Sequence, residues 1–215
     1  MLSPQIPVAR EGYPFIGMAA FCTLISAVLG FTVVTLVLLL ISLFVLSFFR
    51  DPERFIPHNE NALISPADGK IILIDRIKDE IFIHDEVFKI SIFMNVFNVH
   101  VNRIPFSGTV EQIIYRPGKF YSADSEKSAL QNEYCATVIS TEKQKKIACV
   151  QVAGLIARRI ICWLEPGDEA IRGKRFGLIR FGSRVDLYLP VETDILVEVG
   201  QKVRAGETVL GQLKS

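Results

Sequence analysis

Arg172-Gly173-Lys174-Arg175-Phe176-Gly177-Leu178-Ile179-Arg180-Phe181-Gly182-Ser183-Arg184-Val185-Asp186-Leu187-Tyr188-Leu189-Pro190 joins a short apolar run to an alternating one through a Gly-Ser step. Val185, Leu187 and Leu189 recur with the period of two that marks a strand, so this end of the chain is expected to be β. Gly182-Ser183 has two readings: a turn feeding that strand, or a hydroxyl beside a carbonyl that no Cβ shields. The stretch also gathers five basic residues, Arg172, Lys174, Arg175, Arg180 and Arg184, without an acid between Ile171 and Arg184. They form either a solvated rim or a seat for an anionic group.

The 215 residues suffice for one well-buried domain with an appendage. Half are hydrophobic, and mean hydropathy reaches +0.34 because most of the apolar excess lies before Arg50. With a net charge of +1, nothing global points to nucleic acid as a partner. Cys22, Cys135, Cys149 and Cys162 make no CxxC pair and stand at no zinc-finger spacing from a histidine. Buried free thiols in a reducing compartment are expected, and no metal site.

From Phe15 to Phe49 the chain runs for 35 residues without a charge. One straight helix of that length would measure about 52 Å against a hydrocarbon core of about 30 Å. A break at Gly30 gives a tight helical hairpin, spanning or re-entrant. Such a hairpin returns Arg10 and Arg50/Arg54 to one side, which favours the cytoplasmic face of a cell membrane. The expected division is an N-terminal segment 1–14, a membrane hairpin 15–49, a linker 50–61 and a body 62–215.

In the body, Ala62–Ser65 leads through Pro66-Ala67-Asp68-Gly69 into Lys70–Ile77, an Asp-Gly hairpin signal. Strands are expected at Val87–Asn95, Ser107–Tyr115, Tyr134–Thr141 and Lys146–Val152, a polar loop or short helix at Lys119–Asn132, and either helix or strand at Ala153–Trp163. His58 lies in the linker and His84 in a charged turn, which leaves His100 as the acid/base candidate of the body. The spacing of Val199-Gly200, Val203, Ala205-Gly206 and Leu210-Gly211 is similar to the tail of lipoyl and biotinyl barrel-sandwich modules. The turn Glu192-Thr193-Asp194 has no lysine for such a carrier role. The fold expected is α+β, mainly β: a barrel-sandwich-like body behind a helical hairpin.

Ser65-Pro66-Ala67-Asp68-Gly69, Asn98-Val99-His100-Val101-Asn102-Arg103 and Phe181-Gly182-Ser183-Arg184 stand in this order after an apolar segment ending Phe48-Phe49-Arg50-Asp51-Pro52. With them the chain resembles, over nearly its whole length, a short-type phosphatidylserine decarboxylase proenzyme. The resemblance implies self-cleavage between Gly182 and Ser183 into a large chain 1–182 and a small chain 183–215 that stay associated as a heterodimer. It makes Ser183 the precursor of a pyruvoyl cofactor, and Asp68 and His100 catalytic. Phosphatidylserine in an anionic membrane would be decarboxylated to phosphatidylethanolamine, with Arg175, Arg180 and Arg184 near the headgroup. Longer members have a second histidine where this chain has Arg103, so His100 would serve both steps or share the work. Arg184 stands where the longer form has threonine.

The chemistry is consistent with those residues. A serine hydroxyl needs a base within hydrogen-bond reach, which His100 supplies if Asp68 orients it. Attack on the Gly182 carbonyl replaces the amide by an ester. Elimination of the Gly182 carboxylate leaves dehydroalanine, which hydrolyses to a pyruvoyl group and ammonia. That group forms an imine with the serine headgroup amine and accepts the electrons of the departing carboxylate, with no diffusible cofactor. Another lipid-linked serine as substrate stays open. A membrane-anchored serine hydrolase is the further alternative, although a second glycine at nucleophile-elbow spacing is missing.

Overall fold

A computed structural model describes residues 7–118, 132–154, 159–180 and 183–213. Gly182, nearly all of the Lys119–Asn132 stretch, and residues 155–158 within Ala153–Trp163 lie outside the described residues. The chain divides into two units, residues 1–53 and 54–215.

The first unit is a helical hairpin. A 3-10 turn (Arg10–Gly12) leads into α1 (Tyr13–Val28), and α2 (Thr32–Phe48) follows after Gly30. Gly30 sits at φ +78°, a left-handed conformation that glycine adopts without a Cβ clash, and this closes the turn. Inside the hairpin polar contacts join the two helices, and the Phe15 ring stacks on Phe49 at 5.5 Å. Thr23 Oγ1 lies 3.0 Å from Ser42 Oγ, and Thr35 Oγ1 donates to Ser26 Oγ at 3.0 Å. Many large apolar side chains, among them Met18, Phe21, Leu24, Val33 and Leu40, face outward, whereas Phe48 and Phe49 are buried. Across the open end, Ala9 N–H donates to Phe49 O and Asp51 N–H to Pro7 O, each at 2.8 Å, so Arg10 and Arg50 lie at the same end. The helical stretch Arg10–Val28 has 19 residues and is long and apolar enough to cross a membrane; Thr32–Phe48 is shorter.

The second unit is mainly β. Its strands are β1 (Ala62–Ile64), β2 (Gly69–Lys78), β3 (Glu86–Met94), β4 (Val101–Arg103), β5 (Gly108–Arg116), β6 (Tyr134–Ser140), β7 (Lys146–Ala153), β8 (Ile160–Cys162), β9 (Glu169–Ala170), β10 (Arg175–Ile179), β11 (Ser183–Pro190), β12 (Asp194–Ile195), β13 (Lys202–Val203) and β14 (Val209–Gln212). An eight-stranded sheet has the order β13-β2-β3-β11-β7-β6-β5-β9, and two three-stranded sheets have the orders β1-β14-β12 and β4-β10-β8. This is the α+β, mainly β class expected.

Period-two alternation explains the two faces of the large sheet. On one face Ile90, Ile92, Met94, Cys149, Val185, Leu187 and Leu189 join the main core. On the other, Val87, Ala148, Val150, Val152 and Tyr188 form a second cluster with Phe82 and Tyr134. Both faces of β11 are therefore buried.

The Asp68-Gly69 hairpin expectation is corrected. β1 pairs with β14 and β2 with β3 and β13, so the strands around Asp68 belong to different sheets. Backbone demand explains the break: Ser65 N–H donates to Thr208 O at 2.8 Å, and the Ser65 hydroxyl bonds Ala67 O at 2.7 Å. The turn is thus tied down locally and to the C-terminal segment, and it steers the chain from one sheet to the next.

Candidate active site

Ser183 begins β11, opposite Met94 of β3 on one side and Ala153 of β7 on the other. It is fully buried, and its hydroxyl donates to Met94 Sδ at 3.4 Å. A thioether is a weak acceptor, so the hydroxyl is placed without being strongly engaged.

His100 approaches from the other side of the same connection. β4 pairs with β10, Val101 opposite Leu178, and His100 O accepts Ile179 N–H at 3.3 Å. The β3–β4 connection thus starts opposite Ser183 and ends beside Ile179, flanking both described ends of the β10–β11 connection. Two asparagines shape it. Asn98 Oδ1 accepts Asn95 N–H and Asn95 Oδ1 accepts Phe97 N–H, each at 2.9 Å, the local turn bonding for which asparagine is suited. The turn presents Asn98 O to His100 Nδ1 at 3.0 Å. A carbonyl only accepts, so Nδ1 carries a proton and Nε2 is the ring nitrogen left to exchange one. The ring is fully buried.

Asp68 is not hydrogen-bonded to His100, contrary to the orienting role expected from sequence. Its carboxylate takes Arg54 Nη2 at 2.8 and 3.1 Å and Ala205 N–H at 2.8 Å. Arg54 also reaches Glu207 at 3.5 Å. The same turn offers Pro66 O to Arg103 N–H at 2.9 Å, and so holds the strand that His100 precedes.

The basic run divides by position. Arg184 is 3% exposed and ion-paired to Asp186 at 2.8 Å, with Lys89 3.4 Å from the same carboxylate. This corrects its expected place at a headgroup: neighbouring residues on a strand point to opposite faces, so Arg184 leaves the Ser183 side and is committed to Asp186. Arg172 also has a structural task, donating to Pro57 O and Ala62 O at 2.9 Å and to Asn59 O. Arg175 and Arg180 are half-buried. Arg103 is buried and donates to Gly173 O at 2.9 Å.

Sequence reasoning missed three polar residues, two of them near Ser183. Asn102 Nδ2 faces the Met94 sulfur at 3.8 Å and Pro66 O at 3.5 Å, and Gln151 Nε2 donates to Asn102 Oδ1 at 2.9 Å. Arg54, the clamp on Asp68, is the third. The period-two pattern of Gln151 in β7 and Asn102 in β4 gave no signal, because a polar strand position ordinarily faces water.

The thiols are free, as expected, but not all buried: Cys22 is exposed and Cys162 half-buried. Cys135 and Cys162 interact directly. The hydrogen bond from Cys135 lowers Cys162 to about 6, and the same contact, with burial, pushes Cys135 up. Burial raises Cys149 as well.

A strand-buried serine flanked by an imidazole-bearing connection defines a candidate self-processing enzyme site, and comparison with known proteins specifies the family. The phosphatidylserine decarboxylase family model matches residues 41–211. The phosphatidylserine decarboxylase proenzyme of Desulfotalea psychrophila is 64% identical over 213 residues, covering 99% of this chain and all of that protein. The proenzymes of Syntrophotalea carbinolica and Geotalea uraniireducens are 50% and 48% identical, covering 100% and 99% of this chain and all of each relative. The chain belongs to the phosphatidylserine decarboxylase family.

Proposed function

We propose that this member of the family makes its own pyruvoyl cofactor from Ser183 and uses it to convert phosphatidylserine to phosphatidylethanolamine. The observation that carries the reading is the placement of Ser183 and His100 at the two described ends of the β10–β11 connection, Ser183 as the first residue of β11 and His100 bonded through its carbonyl to Ile179 of β10. The residues present fit the group. Ser183 heads a buried strand against a thioether, so a small ketoacyl end in its place strands no charge and no strong hydrogen bond. Once formed, the group supplies the electron sink that decarboxylation requires.

In maturation His100 Nε2 takes the proton of Ser183 Oγ as the oxygen attacks the Gly182 carbonyl carbon. It returns that proton to the Ser183 nitrogen as the amide C–N bond breaks. In turnover the same imidazole delivers the proton that replaces the lost carboxylate. Asp68 acts as a positioning residue: Arg54 and Ala205 fix its turn, and Pro66 O of that turn fixes Arg103 in β4. Arg175 and Arg180 face the headgroup from β10 and its exit, which their partial exposure permits.

After cleavage the small chain carries β11 to β14. The reading that both chains stay together is supported by β11 lying between β3 and β7, β13 on β2 and β14 on β1. The outward apolar faces and inward Thr/Ser contacts of α1 and α2 support membrane attachment. Arg10 and Arg50 at one end support the cytoplasmic side. Phosphatidylserine as an anionic lipid would then be met at the bilayer surface.

Purified protein should run as two fragments, the smaller with a blocked, carbonyl-bearing N-terminus, while Ser183→Ala stays full length. A wild-type chain that stays intact and still decarboxylates phosphatidylserine would overturn the mechanism.

A further inference from the structure

We infer that Asn102 is a catalytic hydrogen-bond donor in the chain's own cleavage, and that Gln151 is the residue that aims it. The inference rests on the self-cleavage reading of Ser183. Ser183 Oγ and Asn102 Nδ2 converge on one atom, Met94 Sδ, at 3.4 and 3.8 Å. Ser183, Met94, Asn102 and Gln151 are all fully buried. Asn102 is oriented by its neighbours: Pro66 O and Met94 Sδ only accept, so the NH2 faces them, and the carbonyl oxygen takes Gln151 Nε2 at 2.9 Å. Among the described residues that NH2 has only long contacts there, to the sulfur and to Pro66 O at 3.5 Å. Both are too long or too weak to satisfy a buried amide.

The arrangement is uneconomical as mere packing. Among the described residues buried Gln151 Oε1 meets no hydrogen-bond partner, and such orphans concentrate where a site has a task. β10 is shaped to allow it. Gly177 lies opposite Asn102 in the register, and a Cβ there would stand 2.8 Å from Gln151 Nε2 and 2.4 Å from Ile161 O. Glycine therefore lets Gln151 reach from β7 across β10 to β4.

Chemistry supplies the missing acceptor. When Ser183 Oγ bonds to the preceding carbonyl carbon, the carbonyl π pair moves to its oxygen, and His100 holds the hydroxyl proton. An under-used N–H beside Ser183, fixed in a dry interior, stabilises that oxygen without reorganising. Collapse restores the C=O, expels the Ser183 nitrogen with the proton from His100, and leaves the ester. Asn102 gains a strong acceptor only while the charge exists, which is the condition for acceleration.

The test follows full-length protein synthesised in the presence of phosphatidylserine-containing vesicles, reading conversion to two fragments on denaturing gels. Asn102→Leu and the isosteric Asn102→Asp, which lacks the N–H, should each slow conversion about 100- to 1,000-fold. Hydroxylamine should not cleave their uncut chains, because the ester does not form. Gln151→Met should slow conversion less, and adding it to Asn102→Leu should cost nothing more, since an aiming residue has nothing left to aim. Rates within about threefold of wild type for either Asn102 variant, hydroxylamine cleavage at the wild-type rate, or losses that add would each overturn the inference. Should both Asn102 variants fail to fold, Gln151→Met decides it: unimpaired conversion with the wild-type melting profile overturns the inference, and slowed conversion with that profile sustains it. A wild-type chain that never splits overturns the self-cleavage reading as well, whereas splitting wild type with unimpaired Asn102 variants overturns this inference alone.

Discussion

Arg54 closes on Asp68 with one guanidinium nitrogen 2.8 and 3.1 Å from the two carboxylate oxygens, both side chains largely buried. Removing only the cation strands the anion in a poorly solvated place, which costs about 3–5 kcal/mol for buried pairs in general. Arg54→Met is expected to lower stability by about 3 kcal/mol at neutral pH and to slow maturation. Arg54→Met with Asp68→Leu should recover much of the stability but not the maturation rate. Unfolding midpoints of the detergent-solubilised protein check the first part and fragment formation the second; unchanged midpoints in Arg54→Met would remove the pair from the stability of the fold.

Arg180 and Arg184 should separate cleanly. Arg184→Met leaves Asp186 with Lys89 alone and should show as lost stability. Arg180→Ala, half-buried at the exit of β10, should leave the unfolding midpoint near wild type and raise KM for phosphatidylserine several-fold with little change in kcat. Steady-state kinetics in mixed micelles decide this; an unaltered KM takes Arg180 off the headgroup.

Thiol reactivity should follow the hydrogen bond between Cys135 and Cys162. With Cys162 lowered to about 6 and half-buried, its alkylation should climb as pH rises through about 6 and level off near 7. Cys135 and Cys149, buried and pushed up, should stay unlabelled over that range. Cys135→Ala removes the donor, and the Cys162 profile should move to higher pH. Peptide mass mapping after timed iodoacetamide exposure reads each site; equal labelling of the three would contradict the assignment.

Two glycines give a matched pair of substitutions. An added Cβ at Gly177 meets Ile161 O at 2.4 Å, so Gly177→Ala must displace β8 from β10 and disturb Gln151. Gly17 in α1 has nothing within 4 Å, and Gly17→Ala should be neutral or stabilise by roughly 1 kcal/mol through helix propensity. Maturation should be slowed at least tenfold in the first and unchanged in the second, measured by the same fragment assay.

Much of the fold was legible because period-two runs such as Val87–Asn95 and Val185–Leu189 became β3 and β11, and the uncharged stretch broke at Gly30 into α1 and α2. Ser183 and His100, separated by 83 positions, were each legible from residue type and motif, and the strand pairing flanks one connection with both. Other features were hidden by a physical cause. Because β4, β7 and β11 are buried nearly throughout, a polar residue at an alternate position there no longer signals water. Arg184, read within a solvated rim or a seat for an anionic group, is an interior ion pair, and Asn102 and Gln151, to which no reading gave a task, are hydrogen-bonded to each other in the interior. Asp68-Gly69 has the composition of a hairpin turn, yet its partners, Arg54 and Ala205, lie 14 and 137 positions away, beyond any local pattern.

β11 has a neighbour on each side, and it starts at the serine where the proposed cut falls. Cutting there leaves β11 paired with β3 and β7 from Arg184 onward but turns the unfolded state into two molecules. The uncut chain folds in a concentration-independent reaction; the proposed pair of chains, once unfolded, would have to find each other and bear the cost of association. Recovery of the mature enzyme then becomes second order in protein, and its persistence is a matter of unfolding rate rather than equilibrium. The precursor holds the folding information in one piece, and maturation makes assembly a one-way event.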